Sequence, residues 1–328
     1  MLDQYGRVID YVRISITDRC NLRCIYCMPE EGVPSVPHDK ILRYDEIVRV
    51  CEIFAKLGIS KIKITGGEPL VRKGAPALIG DIRKIKGIEE VTLTTNGILL
   101  ETLSEELVSS GITGINISLD TLDAMHFSEI TRGGDVNKIL KGIDSLLSIS
   151  SIPIKINCVP NYISDSEVLG IAQLAKDKKI HVRFIELMPI GTGKELIEDD
   201  TFDQETRIRK ILTEAYGNLR EYSGNLGNGP STYVEIPSFE GKIGFISAMS
   251  HKFCDKCNRV RLTAEGYLKT CLQYDVGEDL FALLRNRATD EEIEARILLA
   301  IERKPKGHEF LEHNTACSEQ KSMSQIGG

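Results

Sequence analysis

Three cysteines stand within eight residues near the start of the chain. They are Cys20, Cys24 and Cys27 in "TDRCNLRCIYCMP", with the spacing C-x3-C-x2-C and no fourth cysteine nearby. A second trio lies in "FCDKCNRVRLTAEGYLKTC", where Cys254 and Cys257 are followed, after thirteen intervening residues, by Cys271. Thiolates this close hold zinc or an iron–sulfur cluster. Structural zinc wants four ligands, usually from paired knuckles, and a 4Fe-4S cluster normally takes four cysteines. With three, one iron keeps an open position, the arrangement that makes three-ligand metal sites catalytic. For the second trio, a zinc ribbon completed by His251 stays open on spacing alone. Cys51, Cys158 and Cys317 stand apart and read as ordinary residues.

Such sites need a scaffold, and short strand-like runs alternate with helical patterns. The strands are expected at 11–17, 61–65, 90–96, 114–120, 152–159 and 181–188. The helices are expected at Tyr44–Lys56, Ala75–Ile85, Glu101–Ser109, Val136–Leu147 and Ser166–Asp177. Repeated β-α units imply parallel strands joined by right-handed crossovers. A complete eight-stranded barrel typically takes ~250 residues. Six units in the first 190 or so residues therefore predict an α/β fold, an incomplete (β/α)6 TIM-type barrel. A core over 1–218 is expected, followed by an α+β extension over 219–328 that closes the barrel. In the extension, "SGNLGNGPST" reads as a loop, and Thr289 with Glu292 as a helix-opening capping box.

Parallel strands covered on both faces should be nearly all apolar. These alternate instead. Arg13, Ser15 and Thr17 share one face of the first strand, and Lys61, Lys63 and Thr65 one face of the second. Thr92 with Thr94, then Asn116, Ser118 and Asp120, then Lys155 with Asn157 keep the same parity. A solvated outer face would explain this. A polar cavity inside an open barrel explains it better, because each row runs into a loop at the strand's C-terminal end, where barrel sites are built.

A chain of 328 residues, 41% hydrophobic and 27% charged, suffices for a large core. The net charge of −7 supplies no global field for nucleic acid. The opening residues lack an apolar signal core and no run of 18 apolar residues occurs, so a cytoplasmic protein with no membrane association is expected. There, nine cysteines favour metal or redox chemistry over disulfides.

The first trio, set after a first strand with Tyr26 before its last cysteine, resembles the radical S-adenosylmethionine superfamily. The segments "SITDRCNLRCIYCMP", "ITGGEPLVR", "LTTNG", "NISLD", "RFIELMP" and "FCDKCNRVRLTAEGYLKTCL", with "RKPKGH" and the terminal "MSQIGG", extend the likeness over essentially the whole chain. Together they resemble the GTP 3′,8-cyclase family of molybdenum cofactor biosynthesis. The resemblance implies two 4Fe-4S clusters, at Cys20, Cys24 and Cys27 and at Cys254, Cys257 and Cys271. The first open iron would chelate S-adenosyl-L-methionine and the second would bind guanine. Tyr26, Gly67, Ser118 and Met188 would contact adenosylmethionine. Arg13, Lys63, Thr94, Lys155 and Arg259 would bind GTP, with Lys61, Arg183 and Arg261 supported by position and charge. At Lys63 the chain departs from the commoner arginine, keeping the charge but losing the planar fork.

The implied reaction converts GTP to (8S)-3′,8-cyclo-7,8-dihydroguanosine 5′-triphosphate through a 5′-deoxyadenosyl radical that takes the ribose 3′ hydrogen. Implied partners are GTP, an electron donor of flavodoxin or ferredoxin type and a downstream cyclic pyranopterin monophosphate synthase; a homodimer is compatible with the resemblance. The double glycine Gly327–Gly328 would reach the active site. Arg303, Lys304 and Lys306 read as a solvated charge run.

Overall fold

The structure, a computed structural model, describes residues 1–197, 203–310 and 319–327. Six strands carry the front of the chain: β1 (Tyr11–Ser15), β2 (Lys61–Thr65), β3 (Glu90–Thr95), β4 (Gly114–Ser118), β5 (Ile154–Cys158) and β6 (Ile180–Ile185). They lie side by side in chain order, all parallel. The helices between them include Tyr44–Lys56, Ala75–Arg83, Leu100–Ser109, Val136–Ile149 and Asp165–Gln173. These bounds follow the expected ones within a few residues, as period-2 and period-3.6 patterns allow. A further helix, Ala124–Thr131, is not evident in the sequence. Its eight residues are too few to show a period, and it is held by an Asp123 cap that accepts from the His126 amide.

The extension completes the sheet from both sides. After an antiparallel pair, β7 (Arg220–Tyr222) and β8 (Thr232–Glu235), strand β9 (Ile243–Ile246) runs parallel to β6. Strand β10 (Arg259–Leu262) then crosses to the other edge and pairs parallel with β1. The hairpin of β11 (Tyr267–Lys269) and β12 (Gly277–Asp279) lies beyond it. The sheet therefore has eight parallel strands, six from the core and one added at each edge.

Alternation sorts the two faces. Ile14, Ile62, Ile64, Leu93, Ile117 and Ile156 are buried in the core cluster beneath the helices. Each such side chain contributes about 1.5–3 kcal/mol on burial. The opposite face is polar but not solvated: Ser15 is 1% exposed, Lys63 8%, Thr65 1% and Asn116 7%. A solvated outer face would leave Lys63 in water, so the polar rows line an interior. Register aligns them across strands, placing Arg261 beside Arg13, Arg13 beside Lys63 and Lys63 beside Thr92.

Thr289 caps helix Asp290–Glu302 with Glu292 in the expected capping box. The charge run after it departs from expectation. Arg303 and Lys306 are exposed, but Lys304 is 3% exposed and its ammonium donates to the Arg259 and Thr270 carbonyls. The capped helix delivers it there, and adjacent charges in a sequence do not share one environment. Among the described residues, no helix is long and apolar enough to cross a membrane.

Candidate functional site

One cavity at the C-terminal ends of the strands is lined by all six cysteines, Cys20, Cys24 and Cys27 and also Cys254, Cys257 and Cys271. The first trio sits on the loop after β1. A tight turn closes it, with the Cys27 amide on the Cys24 carbonyl at 2.9 Å. Helix Ala124–Thr131 anchors it from below: the Arg23 and Ile25 amides donate to Thr131 and Ile130 carbonyls, each at 3.0 Å. Burial, with mutual repulsion from Cys20, pushes the Cys27 thiol up to about 12. Burial, Cys27 and Asp120 also hold the Cys24 thiol well above the ordinary thiol range. Three thiolates so placed need cationic metal to carry their charge.

The glycines after β2 have a tighter constraint than ligand approach alone. A Cβ on Gly67 would lie 2.5 Å from the Arg19 carbonyl oxygen and 2.6 Å from that of Asp18; one on Gly66 would lie 2.7 Å from that of Thr17. The Gly67 amide donates to the Thr17 carbonyl at 2.7 Å. The cysteine loop and the GGEP turn thus share a surface that admits no side chain, while both glycines still line the cavity. Tyr26, Ser118 and Met188 are on the same wall. The Tyr26 hydroxyl donates to Asp120 at 2.7 Å.

Two carboxyls that sequence reading left unassigned organise this half. Glu68 accepts from the Leu70 amide, the Thr95 hydroxyl and the Asn96 amide, while burial raises it to about 7. Asn96 in turn lies 3.8 Å from the Cys20 sulfur. Asp120 accepts from the Val159 amide as well as Tyr26, and burial raises it to about 6. Both acids belong to the GGEP and NISLD motifs, and their sequence signal is an acid two or three residues past the end of a buried strand.

The second trio is built by a 3-10 turn, Cys254–Lys256, and by the chain after β11 that carries Cys271. His251 does not join it: its side chain is 72% exposed and faces Glu205. The zinc ribbon expected as an alternative therefore lacks its fourth ligand. Among the described residues, no three His, Cys, Asp or Glu side chains are gathered closely enough for a single ion. Cysteine thiolates are the donors that hold a 4Fe-4S cluster, so the donor chemistry of both trios fits that group. Burial pushes the Cys257 thiol up, but Lys304 and Arg259 outweigh it and bring it down to about 7. Arg7, also unassigned from sequence, donates to the Cys254, Pro305 and Lys306 carbonyls at 2.9, 2.7 and 2.7 Å. Asp3 holds it at 2.6 Å.

Between the trios lies positive charge. Arg13, Thr94, Arg259 and Arg261 line the cavity. Lys63, Lys155 and Arg183 are not on its wall, yet Lys63 and Arg183 stand close enough to repel Arg13, and the three repel one another. Burial and those cations hold Lys63 well below the ordinary lysine range and bring Lys155 to about 8. The Gly/Asn-rich loop tucks in below, with Gly227 against the Lys155 ammonium and Asn228 donating to Glu90. Lys61 is differently placed, paired with Asp10 at 2.7 Å. Finally, the C-terminal segment enters the cavity through Met323 and Ser324. Gly327 follows at φ +89°, where a Cβ would lie 2.8 Å from that of Ser15. Gly328 and Cys317 fall outside the described residues.

The Radical SAM superfamily pattern matches residues 14–194, and that described as Molybdenum Cofactor Synthesis C matches 180–310. A GTP 3′,8-cyclase from Petrotoga mobilis is 43% identical over 332 residues, covering all of both chains. Another from Pelotomaculum thermopropionicum is 45% identical, again over the whole of both. The chain belongs to the GTP 3′,8-cyclase family of the radical SAM superfamily. Beyond this family, Streptococcus suis SuiB bound to S-adenosylmethionine superposes with a TM-score of 0.65. It is 16% identical and the match covers 90% of this chain and 68% of that one, a likeness of fold alone. Membership implies a 4Fe-4S cluster and adenosylmethionine for the chain, and the close contacts of Gly66 and Gly67 hold the GGEP turn against the first cysteine loop.

Proposed function

We propose that this chain converts GTP to (8S)-3′,8-cyclo-7,8-dihydroguanosine 5′-triphosphate, the first step of molybdenum cofactor biosynthesis. The observation that carries the reading is that both cysteine trios open on one cavity, with Arg13, Arg259 and Arg261 on its wall. A metal site for a base, cations for a triphosphate and a second metal site for a radical source are the parts such a cyclisation needs.

The first cluster and adenosylmethionine supply, when bound, the one-electron chemistry that removes hydrogen from the ribose. The chain's own residues supply geometry and electrostatics. Tyr26, Gly67, Ser118 and Met188 orient the cofactor. Arg13, Arg259 and Arg261 on the wall contact the triphosphate, Lys63 and Lys155 behind it add to the field that binds it, and its negative charge relieves their mutual repulsion. Thr94, whose hydroxyl has no hydrogen-bond partner among the described residues, offers a neutral contact. Arg183 already donates to Asn157 and serves the field more than a direct contact. Cys254, Cys257 and Cys271 would hold a second 4Fe-4S cluster, which would supply a metal site for the guanine base. Electrons come from a donor of flavodoxin or ferredoxin type in the cytoplasm, and cyclic pyranopterin monophosphate synthase takes the product.

The test is anaerobic incubation of the reconstituted protein with GTP, adenosylmethionine and dithionite, followed by mass analysis. Expected products are 5′-deoxyadenosine and an isomer of GTP, of unchanged mass, from protein holding about eight irons. Four irons, or zinc in place of the second four, would overturn the two-cluster reading.

A further inference from the structure

Lys304 is a buried cation that the proposed reaction leaves without a task. Its ammonium donates to the Arg259 carbonyl at 2.9 Å and to that of Thr270. Arg259 is two residues after Cys257, and Thr270 immediately precedes Cys271, so one side chain ties both arms of the second trio together. It also lines the cavity beside the three cysteines. Among the described residues it has no ion pair with a carboxylate, and burying an uncompensated charge is costly. The negative charge that balances it must come from what the cysteines hold. The backbone is fixed from the far side as well, where Gln4 donates to the Lys304 carbonyl at 3.3 Å and Arg7 pins the next two carbonyls.

The first trio has mixed surroundings, with the Arg23 guanidinium donating to the Cys20 and Leu22 carbonyls at 2.8 and 2.9 Å. Asn96, near the Cys20 sulfur, has its amide held by Glu68, and Tyr26, adjacent to Cys27, sets its hydroxyl on Asp120. Two carboxyls and a guanidinium thus flank the first trio, while the buried Lys304 ammonium stands behind the second.

We infer that Lys304 is the positioning residue of the second trio, a fixed charge that holds the cluster there and raises its midpoint potential. This rests on the two-cluster reading above. One-electron reduction adds a unit of negative charge to a cluster, and net charge and hydrogen bonding around it set its potential. A buried cation stabilises the reduced form, more strongly in a low-dielectric interior than in water.

The test is a potentiometric titration followed by electron paramagnetic resonance. It uses the chain with Cys20, Cys24 and Cys27 replaced by alanine, so that only the second cluster reports. Lys304→Met and Lys304→Gln should lower its midpoint by about tenfold in the reduction equilibrium, about 59 mV for one electron. Lys304→Arg, which keeps the charge, should stay near the parent. Loss of the signal in both neutral variants with retention in Lys304→Arg supports the holding role. An unshifted midpoint in the neutral variants, or the same shift in all three, overturns the inference. If the parent triple variant carries no cluster at all, the two-cluster reading fails instead.

Discussion

Arg261 Nη1 donates to the Gly327 carbonyl at 2.7 Å, joining a cavity-lining cation to the end of the chain. Gly327 closes the short helix Met323–Ile326 in the left-handed region, with Ser15 and Thr65 against its Cα. A side chain there meets steric conflict and costs ~1–2 kcal/mol of backbone strain.

Gly327→Ala should therefore displace the tail from Arg261 and leave the barrel intact. Cyclised product should fall at least roughly tenfold, since small misplacements near reacting atoms are costly. Iron content and thermal unfolding should stay close to the parent. Deleting Gly327 and Gly328 should act the same way; full turnover by the truncated chain would remove the tail from the mechanism.

The two trios should fail differently. Cys24→Ala should abolish adenosylmethionine cleavage, read as 5′-deoxyadenosine with or without GTP. Cys254→Ala should spare some uncoupled cleavage but lose cyclisation. Equal loss of both products in both variants would contradict a division of labour between the trios.

GTP affinity should weaken at alkaline pH. Burial and Arg183 place Lys155 at about 8 in the free site, below its usual value. A bound triphosphate raises it again. Below pH 8 free and bound forms are both protonated and the Kd is flat. Above pH 8 only the complex keeps the proton, so affinity falls, by up to about tenfold per unit. Equilibrium binding at pH 7 and 9.5 measures this, and Lys155→Met should flatten the profile. A parent Kd that tightens with pH would contradict the assignment.

Arg7→Met should loosen the second trio from outside. The Asp3–Arg7 pair is almost fully buried, and removing one partner of such a pair costs ~3–5 kcal/mol. The variant should unfold at lower urea and retain about four irons rather than eight, with the first cluster's signal intact. Eight irons and parent stability would show that the Cys254 loop is held by other contacts.

Much of this site is legible in the sequence, because the decisive signals are local. Three thiols in eight residues, two glycines after a strand and polar parity along β1 to β5 need no tertiary knowledge. What escaped is set by distant partners. Lys304 sits in a charge run indistinguishable from a solvated one, and only the end of helix Asp290–Glu302 turns it inward. Arg7 lies in a turn with no motif, yet reaches residues about 250 and 300 positions away. The placement of β9 and β10 on opposite edges is equally invisible, since a four-residue strand does not announce its neighbour. The family likeness indicated two clusters and an extension that closes the barrel, but not that its strands β10 and β9 would flank β1 and β6 at opposite edges.

That last arrangement bears on how the chain is made. Strand β1 leaves the ribosome early, yet its outer neighbour is β10, nearly 250 residues later. Until then the nascent wall has two raw margins, each able to recruit a stray strand. The first cysteine loop, rooted at the end of β1, stays exposed over the same interval. Iron insertion at that loop before the late strands dock would leave the cluster open to air and solvent, so maturation should favour loading after release of the full-length chain.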